Sequence, residues 1–537
     1  MKIPEPSTSR IPTSRRSWVA LLLLLVISLL SVKICSSGQD SRISAEQTPD
    51  EAPPEPLSPG DPSMPSVRAH TADVRLRGVN SCTAASCHGG GRVQEGLGFA
   101  ASQIWSRSDP HARAWDVLTG DAARSIMARL NPQSEDAPGR ATEDSRCLNC
   151  HVTTESPLPA EAVTSTLMHR DGVGCESCHG PARDWIAVHA TPPWKTMTVR
   201  EKSALGFPNT AGSLVERASL CVKCHVGSAG RNLSHDLLAA GHPRMEFEFS
   251  TFYANLPRHW ETPSRGDAAR VKSEQRPDFE VQAWYTGQMV AATAAVELLQ
   301  LRTHPAQTWP EFSEQSCFNC HHDLEDRNWY QLRRQSHGTP VWGAWTPGVY
   351  PALAEDDASV QLLSSLRQTM QRPVPDRQQA SRLAEQLIPL LTGQLTQVET
   401  KVWSGSDLDP FMVQLIRHCR LQHPGRGSLP AANWDEAAQL YLGLRAAEMS
   451  RRRLLPDDPA SVQLQNHLES IRKGLLFQPG GQSPGSSVVN IPDTLNHHLM
   501  EIEHLLSRPS MTPARGISPV IDLNDRAGFE LQRDGAP

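Results

Sequence analysis

The stretch GVGCESCHGP, residues 172–181, contains two cysteines separated by two residues and followed at once by a histidine. The same Cys-x-x-Cys-His pattern occurs at three other places in the chain. It suits covalent haem attachment, because two thioether bonds anchor the porphyrin and the next residue offers an imidazole to the iron from the same side. The four motifs comprise Cys147, Cys150 and His151; Cys175, Cys178 and His179; Cys221, Cys224 and His225; and Cys317, Cys320 and His321.

Zinc ribbons and redox dithiols also use paired cysteines. A zinc site needs no histidine directly after the second cysteine, whereas all four pairs have one. With 12 Cys in 537 residues, the chain is also too poor in cysteine for a disulfide scaffold. The pattern therefore favours haem c as the cofactor.

One more site, the first of five in chain order, is looser, because Cys82 and Cys87 are separated by four residues before His88. An exported disulfide hairpin beside an incidental histidine is the alternative. The Cys-His-Gly ending matches the one at residues 178–180, which favours haem. We therefore expect five haems c, four of them on the standard motif.

The N-terminal segment, residues 1–38, resembles an export signal. Arg15 and Arg16 precede an apolar run from Trp18 to Val32. Such a run is typical of a signal peptide and is short for a membrane span of about 20 residues, although an uncleaved membrane anchor is the alternative. We expect the rest of the chain in the periplasm or on the outer face of the cytoplasmic membrane, touching the membrane only through this segment.

Composition divides the remainder into four parts. Residues 39–77 are a Pro-, Ser- and Glu-rich linker predicted to be disordered. A multihaem cytochrome c domain follows at 78–343, here called the haem region. Helical periodicity marks 344–507, the C-terminal region, and a disordered tail is expected at 508–537. The predicted fold class is mainly α and loop-rich, followed by an α-helical C-terminal region. A net charge of −6 argues against nucleic acid as a partner.

Several segments of the haem region carry a family resemblance. GVGCESCHGP at 172–181, DPHARA at 109–114, DLLAAGHPR at 236–244 and CFNCHHDL at 317–324 resemble the multihaem cytochrome c-554/c-prime family and its larger exported relatives. The resemblance implies a mostly helical, loop-rich fold around packed haems that acts in electron transfer. The wide spacer of the first site and the fifth haem depart from the family pattern, and the chain after Gly343 is not covered.

The sixth iron ligand decides between electron transfer and catalysis, since a second imidazole closes the site. Fifteen histidines lie between His70 and His337, enough for two per iron. His322 directly follows His321, so on a helix it points about 100° away and would serve a different iron. The predicted distal ligands are His111, His169, His235, His242 and His322, with His189, His259 and His304 in reserve.

Three functions follow from these features. The first is an electron carrier that works with redox partner proteins or a membrane-bound electron-transfer complex. The alternative is a multihaem oxidoreductase that acts on a small nitrogen or sulfur species at a haem with an open position. A third is a cytochrome docked on a larger complex by its C-terminal helices. A helix from about Glu280 to Thr303 is also predicted. The aromatic residues Trp260, Trp284, Tyr285 and Trp309 are expected to wall the haems.

Overall fold

Helices and connecting loops build the chain in the computed structural model. It describes residues 75–90, 97–133, 139–158, 167–260, 273–315, 342–343, 348, 350–354, 356–421, 434–475 and 491–507. Within these ranges there is no β-strand, only isolated bridges at Ser228–Arg231 and Gln315–Trp342. The mainly α, loop-rich fold class is therefore confirmed. The described residues all fall in one compact unit, residues 72–537.

No helix in these ranges combines the length and the apolarity that a bilayer crossing requires. The apolar run Trp18–Val32, the linker up to residue 74 and the tail at 508–537 lie outside the described residues. The predicted signal and the predicted domain boundaries thus remain predictions.

The haem region consists mostly of short helices joined by capped turns. Asp144, Ser213 and Ser234 each accept a backbone N–H at the start of a helix, which satisfies donors that have no partner within the helix. The α-helices are α1 Ala101–Ser108, α2 Asp121–Leu130, α3 Ser145–His151, α4 Glu176–His179, α5 Ile186–His189, α6 Pro192–Thr196, α7 Val199–Ala204, α8 Leu214–His225, α9 His235–Ala239, α10 Phe249–Asn255 and α11 Phe279–Arg302. The 3-10 helices are Val79–Ser81, Leu97–Ala100, Pro110–Arg113, Asp116–Thr119, Ala141–Glu143, Leu167–Asp171, Ala182–Asp184, Ser273–Gln275 and Phe312–Glu314.

Helix α11 confirms the helix expected at about Glu280–Thr303 and occupies the centre of the molecule. It is apolar around most of its circumference, as expected of a helix buried on all sides. Ala283 and Val290 pack with α8 and α10 in one hydrophobic cluster. Trp284 and Met289 belong to a second cluster with the C-terminal helices. One helix thus supports both the haem region and the C-terminal region.

The aromatic residues of α11 do not line the haem motifs as expected. Trp284 packs at 6.1 Å from Phe411, and Tyr285 at 5.4 Å from Trp403, ring centre to ring centre. Both partners lie in the C-terminal region. Trp284 and Tyr285 thus face the C-terminal helices, because periodicity identifies a buried face without identifying what covers it. Trp260, from the same prediction, packs 5.1 Å from His259.

The C-terminal region is built from longer helices. Asp356 and Asp376 cap the first two of them. Leu363, Leu387 and Leu444 are among the fully buried residues that join these helices to α11. The helices are α12 Asp357–Met370, α13 Arg377–Thr400, α14 Gly405–Leu421, α15 Trp434–Leu454, α16 Ala460–Leu475 and α17 Ile491–Leu506, preceded by the 3-10 turn Tyr350–Ala352.

A close helix contact between α11 and α15 generates the first prediction. A Cβ at Gly443 would lie 2.6 Å from Cζ2 of Trp284, whose indole is fully buried. We expect Gly443→Ala to lower the free energy of unfolding by about 1–3 kcal/mol, because the packed ring cannot yield without strain. Urea unfolding of the haem-loaded protein, followed by circular dichroism, measures the change.

Gly393→Ala is the matched control for this substitution. Gly393 lies within α13, and a Cβ added there would have no other atom within 4 Å. Alanine at such a helical position is expected to stabilise the protein by about 0.5–1 kcal/mol. Equal stability of the two variants would contradict the close approach of α11 and α15.

Candidate functional site

Four pairs of histidine rings face each other in the haem region. One member of each pair is a motif histidine, the residue directly after the second motif cysteine, and the other comes from a distant part of the chain. The distances between ring centres are 6.2 Å for His88–His189, 6.4 Å for His151–His242, 6.3 Å for His179–His259 and 6.1 Å for His225–His111.

This spacing equals the span of one metal ion between two imidazoles. A metal–imidazole bond is roughly 2.0–2.1 Å long. Two such bonds, together with about 1.1 Å from each coordinating nitrogen to its ring centre, place the ring centres about 6.2–6.4 Å apart. The rings are too far apart to pack against each other directly, and all four distances fall close to the metal-bridged value.

Hydrogen bonds fix the orientation of most of these rings. A carbonyl oxygen can only accept, so an Nδ1 atom bonded to one carries the proton and leaves Nε2 with a free lone pair. Metal-binding histidines show this arrangement. Nδ1 donates to a carbonyl in His88 (Gly98, 2.7 Å), His151 (Ala114, 2.8 Å), His189 (Ile186), His242 (Pro243, 2.8 Å) and His259 (Pro257, 3.1 Å).

His111 has a carboxylate partner instead of a carbonyl. The buried Asp109 caps the Pro110–Arg113 turn by accepting from the backbone N–H of His111 at 3.0 Å, and it contacts Nδ1 of the same residue at 2.9 Å. The hydrogen bond that His111 Nδ1 donates to the Asp109 carboxylate raises the pKa of His111. A carboxylate behind a ligating imidazole raises its basicity and holds its orientation.

The motif histidines His179 and His225 are held in an apolar environment. Burial lowers the pKa of each to about 4, with nearby histidines adding to the effect. Phe207 stacks on His179 at 5.7 Å, and Phe247 stacks on His225 at 5.1 Å. Both imidazoles are therefore neutral at physiological pH, which is the form that binds a metal.

Local helix geometry presents the motifs. Helices α3, α4 and α8 each end on a motif histidine, His151, His179 and His225. In a helical turn, residues three and four apart lie on one face, so the two cysteines and the histidine point the same way. The Cys-x-x-Cys-His spacing thus becomes a three-group attachment surface at the end of a helix.

A buried carboxylate inside one motif organises the loops around it. The side chain of Glu176 accepts from the backbone N–H groups of Arg77 at 2.9 Å, Gly78 at 2.8 Å and Ala182 at 2.7 Å. It ties the start of the haem region to the third motif. Sequence reasoning did not identify this role, because a glutamate between two motif cysteines has no distinguishing signal.

Cysteines of different motifs lie next to each other. Cys82 and Cys175 lie close enough to affect each other's pKa, as do Cys150 and Cys224. The neighbouring Cys150 thiol lowers the pKa of Cys224 to about 7, whereas burial raises the pKa of Cys147 to about 11. The first motif therefore neighbours the third, and the second neighbours the fourth.

The predicted distal ligands divide into three groups. His111 and His242 lie opposite motif histidines, and so do the reserves His189 and His259. His169 and His235 face no motif histidine in the described part of the chain: His169 is buried 6.5 Å from Trp115, and His235 starts α9 against Phe312 at 5.9 Å. His304 turns Nδ1 to the Ala306 N–H as an acceptor. Cys317, Cys320, His321 and His322 lie outside the described residues.

The donor set at four sites fits haem c. Each site supplies two cysteines, a motif histidine on the same face and a second imidazole at the metal-bridged distance. The wide-spaced site of Cys82, Cys87 and His88 has this arrangement as well, since His88 faces His189. No group of three or more metal-binding side chains within the described residues indicates a further metal cluster.

Comparison with known proteins gives a consistent result. Residues 81–180 match the family described as cytochrome c554 and c-prime. The chain is similar to cytochrome c-554 of Nitrosomonas europaea, with 27% identity over 174 residues, covering 31% of this chain and 65% of that protein. It is also similar to the C-type polyheme cytochrome OmcC of Geobacter sulfurreducens, with 26% identity over 184 residues, covering 33% of this chain and 20% of that protein.

The match thus spans just under two thirds of the first relative and a fifth of the second. No solved structure matches the chain. The family match and both relatives agree with the motifs and their helical setting: residues 81–180 match the cytochrome c554 and c-prime family, and the chain is similar to c-type cytochromes, one of them a polyheme cytochrome.

Proposed function

We propose that this chain is an exported multihaem c-type cytochrome that transfers electrons through five covalently bound haems, most of them held by two histidines. The observation that carries the proposal is the set of four facing histidine pairs, with ring centres 6.1 to 6.4 Å apart. The family match and the names of the two relatives also support a c-type cytochrome.

Iron held between two imidazoles supplies one-electron redox chemistry and leaves no coordination position for a substrate. The protein's part is to keep both imidazoles in place in either redox state. Hydrogen bonds from Nδ1 to backbone carbonyls fix His88 and His151 as motif histidines and His242 as a facing histidine. Rings held in this way need not move when an electron arrives or leaves, so the energy needed to rearrange the ligands at each transfer stays small.

The arrangement of attachment cysteines supports transfer between sites. Cys82 lies against Cys175, and Cys150 against Cys224, so cofactors bound there would be neighbours. Cys87 is exposed, which brings the first attachment site to the surface. We propose that a redox partner protein, free or in a membrane-bound complex, exchanges electrons there.

The alternative, an oxidoreductase acting on a small nitrogen or sulfur species, needs a motif histidine without a facing imidazole. The four described motif histidines each have one. The alternative therefore depends on the fifth motif, Cys317, Cys320 and His321. The carrier is the better supported function.

Haem stoichiometry tests the number of sites. We expect five haems per chain by the pyridine haemochrome assay, and four after Cys82→Ser combined with Cys87→Ser, because thioether attachment needs these thiols. Cys419→Ser is the control and is expected to leave five, since this cysteine belongs to no motif. Four haems in the unmodified protein, with Cys82 and Cys87 free or joined in a disulfide, would contradict the five-haem proposal.

The role of a facing histidine is tested at His259. Replacing it with alanine should leave every thioether intact while the iron at His179 becomes high-spin and binds carbon monoxide when reduced, because the second imidazole is lost. Absorption and magnetic circular dichroism spectra measure both effects.

His304→Ala is the matched control for His259→Ala, since His304 uses its ring as an acceptor near the surface and faces no motif histidine among the described residues. The control should retain the spectrum of the unmodified protein. A low-spin spectrum in the His259→Ala variant, indistinguishable from that control, would remove His259 from the ligand set.

A further inference from the structure

We propose that the C-terminal region positions two of the four haem-ligating histidine pairs through the carboxylates of Glu399 and Asp435. The inference rests on the proposed function, since it assigns these residues a task toward the bis-histidine sites. It gives the C-terminal region a role inside the haem site, in addition to its packing on α11.

Glu399 lies near the end of α13 and caps the helix that carries the fourth motif. Its carboxylate accepts from the Ser213 hydroxyl at 2.8 Å, and from the backbone N–H groups of Leu214 at 3.1 Å and Val215 at 3.0 Å. These residues form the N-terminus of α8, where unpaired N–H groups and the helix dipole favour a negative charge. The cap therefore reaches α8 from a different region of the chain.

Helix α8 connects the N-terminus that Glu399 caps to the motif residues at its other end. It runs from Leu214 to His225, roughly 18 Å at the standard rise per residue. Its last turn holds Cys221, Cys224 and His225, and Ala218 and Val222 are buried with residues of α11. Glu399 holds the start of α8, and α11 packs against its side. Both contacts fix the orientation of the helix and so the position of His225 opposite His111.

Asp435 anchors a second ligand from the start of α15. Its side chain is fully buried and accepts from both terminal nitrogens of the Arg244 guanidinium at 2.8 Å. A buried carboxylate requires such a partner, and the planar fork of arginine restricts the geometry. Arg244 is two residues after His242, whose ring faces His151. The pair thus connects α15 to the loop that supplies His242.

The two remaining histidine pairs provide an internal comparison. Nδ1 of His88, His189 and His259 is bonded to carbonyls of the haem region, and neither Glu399 nor Asp435 has a hydrogen bond to the segments of these two pairs among the described residues. Loss of a C-terminal anchor should therefore affect the pair it supports and leave these pairs unchanged. A general loss of stability would have no such selectivity.

The test uses the full haem-loaded chain with Glu399→Gln, which keeps the shape of the side chain and removes its charge. Glu385→Gln is the matched control, because Glu385 lies on the same helix and its exposed carboxylate contacts Ser381 of that helix. The measurement is the rate of carbon monoxide binding to the reduced protein. This rate reports how often a facing histidine leaves the iron.

We expect about tenfold faster carbon monoxide binding at one haem per chain in Glu399→Gln, with an unchanged haem count, in line with typical losses on removing an outer-shell partner. The control should match the unmodified protein. Equal rates in the two variants would overturn the positioning role of Glu399, even if the free energy of unfolding falls.

Arg244→Lys gives an independent test should Glu399→Gln fail to fold. Lysine keeps the charge and loses the two-pronged contact with Asp435. We expect faster carbon monoxide binding at a different haem, the one at His151, whereas the exposed Arg472→Lys control, on α16, should show no acceleration. An unchanged rate in Arg244→Lys would overturn the role of Asp435. Fast binding at several haems of the unmodified protein would instead refute the bis-histidine sites themselves.

Discussion

An iron ion between two imidazoles fixes the distance between two side chains to about 6 Å, whatever the rest of the chain does. Each of the four described motif histidines meets this constraint with a partner from a distant segment. The loops of the haem region connect these segments, and short capped helices set their directions. Short helices and loops suit this arrangement, because each of them can bring one histidine ring to the position that its partner ring requires.

Helix α11 is the long buried helix that connects the haem region to the C-terminal region. Its buried circumference packs on α8 and α10 on one side and on the C-terminal helices on the other. Charged contacts add to this packing: Glu399 holds the start of α8, and Asp435 holds Arg244 beside His242. In this account the C-terminal region is part of the machinery that holds the ligands, and a docking role for it is not required.

Local features were predictable from the sequence, whereas long-range ones were not. The Cys-x-x-Cys-His motifs and the α11 helix depend on neighbours within a few residues. Helix α16 includes Gly474 and ends at the buried Leu475, because tertiary packing outweighs the low helix preference of one glycine. His189 and His259 were predicted only as reserve distal ligands. No local signal distinguishes a histidine that faces a distant motif from one on the surface.

The central claim is that four motif histidines each share an iron with a facing histidine. Near-infrared magnetic circular dichroism of the fully oxidised, unmodified protein tests it most directly, since the energy of the low-spin band identifies the pair of axial ligands and its intensity counts the haems. The account predicts bis-histidine signals from at least four haems per chain. High-spin or histidine–methionine signals from two or more haems would contradict it.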